Sequence, residues 1–257
     1  MKYRKINLAY IKDIEARNNI KNFAENIVNI RPGEIITSRF LNPYEQKIVG
    51  DIADKEHLFS IFKGGNIDSE RKVSIVSDDE DLLEYINPIQ VLYCEIDTEG
   101  IKHPDVLGSI LNLGIDRSTI GDIVIKKDRI EFACLEEISD FLLFNLKRIR
   151  KRNLSFNIKD DGILDFDKIE YIELIRVLSS LRLDNFVSNA CNISRADGKK
   201  LIQREKVKVD FRKEINPSYE ITEGSMISIS SYGRFIFDEV ISRTNKDKYR
   251  IRILKVK

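Results

Sequence analysis

The 257-residue chain has no tryptophan, only two histidines, two methionines, three cysteines and five prolines. Cys94, Cys134 and Cys191 lie far apart and form no C-x-x-C pair, so neither a disulfide framework nor a zinc site is legible. His57 and His103 gather no metal-ligand cluster, so no metal and no cofactor are expected. No stretch approaches ~18 consecutive apolar residues, which excludes a membrane-spanning helix. The opening MKYRKINLAYIKDIEARNN carries basic residues without an apolar run of signal-peptide length, so a reduced, cytoplasmic, soluble protein is expected. The segment FKGGNIDSER has adjacent Gly64 and Gly65 but lacks the Lys-Ser/Thr of a phosphate loop, and reads as a turn.

What is present is a large apolar share, 42%, with 33% charged residues. At ~150 residues per domain this is one large domain or two to three small ones. Lys+Arg is 43 and Asp+Glu is 42, a net charge of +1 that hides an asymmetry. From Leu181 to Lys257 there are 17 basic and 10 acidic residues, net +7; Met1 to Ser180 then holds 26 and 32, net −6. A strongly basic third on an acidic chain points to a polyanion-facing module. The competing reading is a face of solvated lysines.

Periodicity divides the chain into parts of an α+β protein. Residues 1–70 read as helical. Ile20, Phe23, Ala24 and Ile27 form one stripe, and Asn42, Pro43 and Glu45 form a capping signal ahead of Ile48 and Ile52. Residues 71–165 alternate strands and helices. VLYCEID is a strand, Pro104 and Asp105 open a helix closed at Gly114, and DIVIK and RIEFA are two strands. A helix with Leu135, Ile138, Leu142, Leu146 and Ile149 on one stripe follows, then the strand LSFNI. The order β-α-β-β-α-β is that of a ferredoxin-like or RRM-like sandwich. DRIEFACLE offers only Phe132 toward the aromatic signature of an RRM. The second helix is expected to end in Lys147, Arg148, Arg150, Lys151 and Arg152. The helix dipole favours one or two of these cations; five in six positions make a candidate polyanion contact. Residues 166–180 read as a connector of helical or extended character.

Residues 181–257 read as a small α/β domain. Leu183, Phe186, Val187 and Ala190 mark a helix with Asp184 in its first turn. Ser194 caps a second helix running from Arg195 to about Arg204. Arg195 and Lys199 are one turn apart, as are Lys200 and Arg204, giving two basic columns. VKVDF is a strand, with Lys206 and Lys208 at strand spacing, both on one face. Helix and strand together are expected to present one phosphate-binding surface.

The segment RLDNFVSNACNISRADGKKLIQREKVKVD resembles the RNA-binding domain named after ribosomal small-subunit protein S-four. The resemblance is carried by Arg182-Leu183-Asp184, Ser194-Arg195, Leu201-Ile202 and Val207-Lys208-Val209. Glu205 stands where the family turn has glycine, and is expected to take a positive φ. Asp210 stands where the family has asparagine. The segments RFLNPYEQKIVGDIADKEHLFSIFKGGNIDSER, IKHPDVLGSILNLGIDRSTIGDIVI, SSLRLD and YGRF extend the resemblance to the YlmH type of bacterial S-four proteins, from about Arg39 onward. Lys102-His103-Pro104-Asp105 replaces the more usual THRD, and Ser231-Tyr232-Gly233-Arg234 replaces RGxGR. The resemblance implies an RNA-binding protein acting on the ribosome; with no nucleophile–base–metal constellation in the sequence, a non-catalytic protein is expected, and a monomer. Its implied partners are ribosomal RNA, the large ribosomal subunit and peptidyl-tRNA, in rescue of stalled nascent chains. The expected RNA contacts are Arg182, Ser194, Arg195, Lys199, Lys200, Arg204, Lys206, Lys208 and Arg234, with the run from Lys147 to Arg152 as a second candidate.

Two other classes compete. S-four domains are often fused to pseudouridine synthases, whose catalytic aspartate lies in a GRLDxxTSG-like segment. Here Asn185-Phe186-Val187-Ser188 follows the RLD, and Asp184 reads more simply as an acidic first-turn residue. His103 and Asp105 are only two positions apart, which does not establish an acid–base pair. A protein-binding adaptor that uses the acidic N-terminal part is the third reading.

Overall fold

The apolar stripe of the first helix and the capping signal of the second both fold as the residues dictate in a computed structural model, which describes residues 3–257. Helix α1 spans Ile14–Ile27 and buries Ile20, Phe23, Ala24 and Ile27. Strand β1 is Ile36–Leu41 and helix α2 is Pro43–Lys55. Asn42 Oδ1 accepts from Glu45 N at 3.0 Å, and Glu45 Oε2 accepts from Asn42 N at 2.8 Å. This reciprocal capping box starts α2. Strands β2, Phe59–Lys63, and β3, Lys72–Ser77, complete an antiparallel sheet in the order β1-β3-β2. Residues 1–70 are therefore not purely helical, and their sheet takes its central strand from beyond residue 70. That strand, KVSIVS, is buried on both faces, so its sequence lacks the alternation that marks a half-exposed strand.

The chain separates into two compact units, Met1–Phe166 and Asp167–Lys257. The rest of the first unit is the expected sandwich. Strand β4 is Ile89–Glu95, helix α3 His103–Leu111, β5 Ile120–Ile125, β6 Arg129–Leu135 and helix α4 Ser139–Asn145. Next come the two-residue strands β7, Arg148–Ile149, and β8, Arg152–Asn153, then β9, Asn157–Ile158. The main sheet runs β5-β6-β4-β9, entirely antiparallel. This is the strand order of a split βαβ fold. Strand β6 divides its side chains between the faces: Ile130, Phe132 and Cys134 join the core with Val106, Ile110 and Leu142 of the helices. Ala133 and Leu135 face the other way and pack with Val91, Leu164 and with Phe40 and Val73 of the first sheet. A Cβ on Gly65 would sit 2.7 Å from Leu164 Cγ and 3.1 Å from Ala133 Cβ, so this turn needs glycine for close approach.

Two expectations are corrected here. The stripe from Leu135 to Ile149 is not one helix. Leu146 leaves the helical region at ψ 77°, and the basic run folds back as the β7–β8 hairpin with Arg150 at φ 54°. Leu146 and Ile149 are still buried, so a hairpin supplies the apolar spacing that mimics a helix. The supposed connector takes the extended one of its two expected forms, and residues 171–178 belong to the second unit as a strand of its sheet.

In the second unit, β10, Tyr171–Leu178, pairs antiparallel along its whole length with β15, Tyr249–Val256. Between them lie α5, Leu183–Cys191, α6, Arg195–Gln203, β11, Val207–Val209, β12, Arg212–Lys213, β13, Met226–Ile229, and β14, Gly233–Arg243. The six-stranded sheet runs β10-β15-β14-β13-β11-β12. Leu183, Phe186, Val187 and Ile202 of the helices pack against Val207, Ile227, Phe235, Phe237 and Ile251 of the sheet. Asn192 closes α5 in the left-handed conformation, which is well tolerated by asparagine.

Candidate nucleic-acid interface

Asp184, which reads from the sequence as a plain first-turn residue, is the organiser of the basic cluster. Its side chain is 0% exposed. Arg182 donates to it twice, Nη2 to Oδ2 at 3.0 Å and Nε to Oδ1 at 3.3 Å. Arg195 Nη2 donates to Oδ1 at 3.0 Å, and Lys199 Nζ lies 4.0 Å from Oδ2. Burial pushes the Asp184 carboxyl upward, but the hydrogen bonds from Arg182 and Arg195 outweigh it and hold the group below the usual carboxylate range. One buried negative charge thus gathers three cations and leaves a local excess of two.

Gly198 makes this arrangement possible. A Cβ there would lie 3.1 Å from the Asp184 carbonyl oxygen and 3.4 Å from Ser188 N. Its absence lets α6 approach α5 closely enough for Arg195 and Lys199 to reach Asp184. The same helix begins as expected: Ser194 Oγ accepts from Asp197 N at 3.1 Å and donates to Asp197 Oδ2 at 2.7 Å. Ser194 is therefore a cap. Lys200 pairs with Asp197 at 3.2 Å across the first turn, and Arg204, at the helix end, is exposed.

The strand residues form a second group. Val207 and Val209 point into the helix-covered core, so Lys208 points to the opposite face of the sheet. Cross-strand register aligns Lys213, Lys208, Ser228 and Arg234 in one row over β12, β11, β13 and β14. At ~4.8 Å per strand that row spans about 14 Å. Lys206, Lys208, Ser228, Ser231 and Arg234, with Glu205, line a shallow cleft of about 420 Å³ beside it. The expected single surface is therefore divided: the helix cluster around Asp184 and the strand row lie on different faces of the sheet. Alternation within VKVDF is the reason. Lys213 belongs to the row and escaped the sequence reading, although the tight Asp210-Phe211 turn implies its pairing.

The family departures have structural roles. Glu205 takes φ 58°, as expected from its replacement of a turn glycine, and receives Lys213 Nζ at 3.3 Å. Asp210 Oδ1 accepts from Met226 N at 2.8 Å, which ties the β11–β12 turn to β13. Arg234 lies over the Phe211 ring, 5.9 Å from its centre.

In the first unit, the basic hairpin is only partly available. Arg152 bonds to the Asp97 carbonyl and carboxylate and to the Glu99 carbonyl. Arg150 bonds to the Gly100 carbonyl at 2.6 Å and to Asp105 at 3.4 Å. These two residues staple the hairpin to the loop before α3. Lys147 Nζ turns back to the Leu143 carbonyl, while Arg148 and Lys151 are exposed.

Residues 88–161, which contain this hairpin, match a family model described as "Putative RNA-binding domain in YlmH". Over 221 residues the chain is 28% identical to the ribosome-associated protein quality control protein P2 of Bacillus subtilis (strain 168). That likeness covers 82% of this chain and 84% of the relative. A solved structure, the cell division protein ylmH from Streptococcus pneumoniae, is similar at 17% identity and a TM-score of 0.46, over 62% of this chain and 96% of that one. The chain is thus similar to the YlmH type in its RNA-binding domain over residues 88–161, and to a ribosome-associated quality control protein over most of its length.

Proposed function

We propose that this chain is a non-catalytic, cytoplasmic RNA-binding protein. It associates with ribosomal RNA of the large subunit and with peptidyl-tRNA, and acts in rescue of stalled nascent chains. The observation that carries the RNA contact is the cluster around Asp184, where a buried carboxylate holds Arg182, Arg195 and Lys199 together with an excess of positive charge. Pre-positioned cations of this kind suit phosphate, whose charge is available in any RNA sequence. The ribosomal context is drawn from the relative named for ribosome-associated quality control. The chain carries a second basic element within the matched RNA-binding domain. Two linked contacts engaged at once convert weak, unspecific phosphate binding into selection of one site.

The pseudouridine synthase reading loses its main support at Asp184, which is fully buried beneath its cations and offers no surface to a substrate base. Sedimentation of cell lysate tests the proposal. The full-length protein is expected with large subunits, enriched where those carry peptidyl-tRNA, and crosslinks are expected at Arg195, Lys199 and Lys208. A protein that stays at the top of the gradient in low salt refutes it. New pseudouridine in RNA incubated with the purified protein, lost in Asp184→Asn, would establish the enzyme instead.

A further inference from the structure

Proteins with a four-stranded sandwich of this kind commonly stack unpaired bases on the open face of the sheet. Here that face is closed. Val91, Ala133 and Leu135 pack against Phe40, Val73 and Leu164. Glu131, also on that face, is 1% exposed and receives Lys159 Nζ at 3.1 Å. Phe132, the only aromatic in the strand where an RRM carries several, is fully buried on the helix side, edge-on to Phe156 at 5.0 Å. A single-stranded RNA bound by residues 88–161 must therefore use another surface.

Of the five aromatic side chains in that range, Phe132 and Phe156 are buried and Tyr93 is half-buried. The remaining two are Phe141, 45% exposed, and Phe144, 78% exposed. Both lie on α4, three residues apart and so on one face of the helix. The chain then turns directly into the basic hairpin, where Arg148 on β7 and Lys151 in the turn are exposed. A ring open to solvent, followed within a few residues of chain by exposed cations, is the combination that binds unpaired nucleotides: the base stacks, the backbone is neutralised.

We propose that Phe144, with Phe141 beside it, is a stacking platform for an unpaired base of RNA whose adjoining phosphates are held by Arg148 and Lys151. This site rests on the RNA-binding reading above and places a base contact where phosphate contacts alone carry no sequence information.

The test uses the full-length protein and a fluorescein-labelled twelve-nucleotide single strand, with the same sequence in duplex form as control. Phe144→Ala is expected to weaken single-strand binding roughly ten-fold, the loss of one stacked base, and to leave the duplex affinity and the salt slope unchanged. Phe144→Trp is expected to retain affinity. As the only tryptophan in the chain, its emission should fall when the strand binds. Arg148→Ala with Lys151→Ala is expected to flatten the salt slope on the single strand. Equal single-strand affinity for wild type and Phe144→Ala overturns the site and leaves the RNA-binding reading standing. Tryptophan emission unmoved by saturating strand overturns it also. A wild-type protein that binds neither strand nor duplex overturns the RNA-binding reading and the site with it.

Discussion

Replacing Asp184 with asparagine probes the centre of the basic cluster while nearly preserving shape. The aspartate accepts three hydrogen bonds from guanidinium groups, two from Arg182 and one from Arg195. Asparagine keeps one acceptor oxygen and turns an NH₂ toward a donor. A hydrogen bond to a charged group is worth ~1.5–3 kcal/mol, and removing one partner of a fully buried pair costs ~3–5 kcal/mol. Here Arg182 and Arg195 are partly exposed, at 34% and 46%, so water rehydrates them and the loss lies lower. We expect about 2–3 kcal/mol, which for a unit of this size lowers its Tm by roughly 10–20 °C. Differential scanning calorimetry of the full-length protein reads this directly. The pH dependence supplies a second readout. The folded-state pKa of Asp184 is depressed. Its contribution is therefore complete above the ordinary aspartate value of about 4 and is lost as pH falls through the lower folded value. Asp184→Asn lacks this acid-labile part, so the two proteins should converge in stability at low pH. A Tm within about 2 °C of wild type at pH 7, or an unchanged gap on acidification, refutes the role assigned to Asp184.

Lys199→Ala with Lys200→Ala should leave stability within about 0.5 kcal/mol, since both side chains are exposed. It should also flatten the log–log salt dependence of single-strand RNA binding by about 1.4 units, ~0.7 per phosphate; an unaltered slope removes both lysines from the interface. In the hairpin, Arg150→Ala with Arg152→Ala should lower the urea midpoint, by about 1 kcal/mol of stability, because these residues hold the loop at Asp97–Gly100. Arg148→Ala with Lys151→Ala should leave that midpoint in place, and equal effects of the two pairs would contradict the division of labour. Burial pushes the Cys134 thiol to about 12 and that of Cys191 to about 11, and raises Cys94. Native protein at pH 8 should therefore resist iodoacetamide over a time in which unfolded protein takes up three equivalents; rapid native labelling would show that these thiols are accessible.

Local rules in the sequence determined much of this protein. The capping box at Asn42 and Glu45, the apolar stripe of α1, the cap at Ser194, the strained turn at Glu205 and the β-α-β-β-α-β order all depend on neighbours a few residues away. Short-range spacing suffices to state them. The resemblance to the YlmH type was legible for the same reason, as residues in fixed order. Tertiary structure alone decided the rest. Strand β3 is covered on both faces, so no periodicity announces it, and β10 owes its conformation to β15, some eighty residues later. The run from Lys147 to Arg152 has the apolar spacing of a helix but folds as a hairpin stapled to a distant loop. Lys208 could be assigned to a face only once Val207 and Val209 were seen to meet the helices, which parts it from Arg195. Above all, Asp184 looked like any acid in a first helical turn. Its burial, and with it the gathering of Arg182, Arg195 and Lys199, exists only because Gly198 lets two helices close on each other. Charge type and spacing are properties of the chain, whereas the desolvation that makes one carboxylate hold three cations is a property of packing.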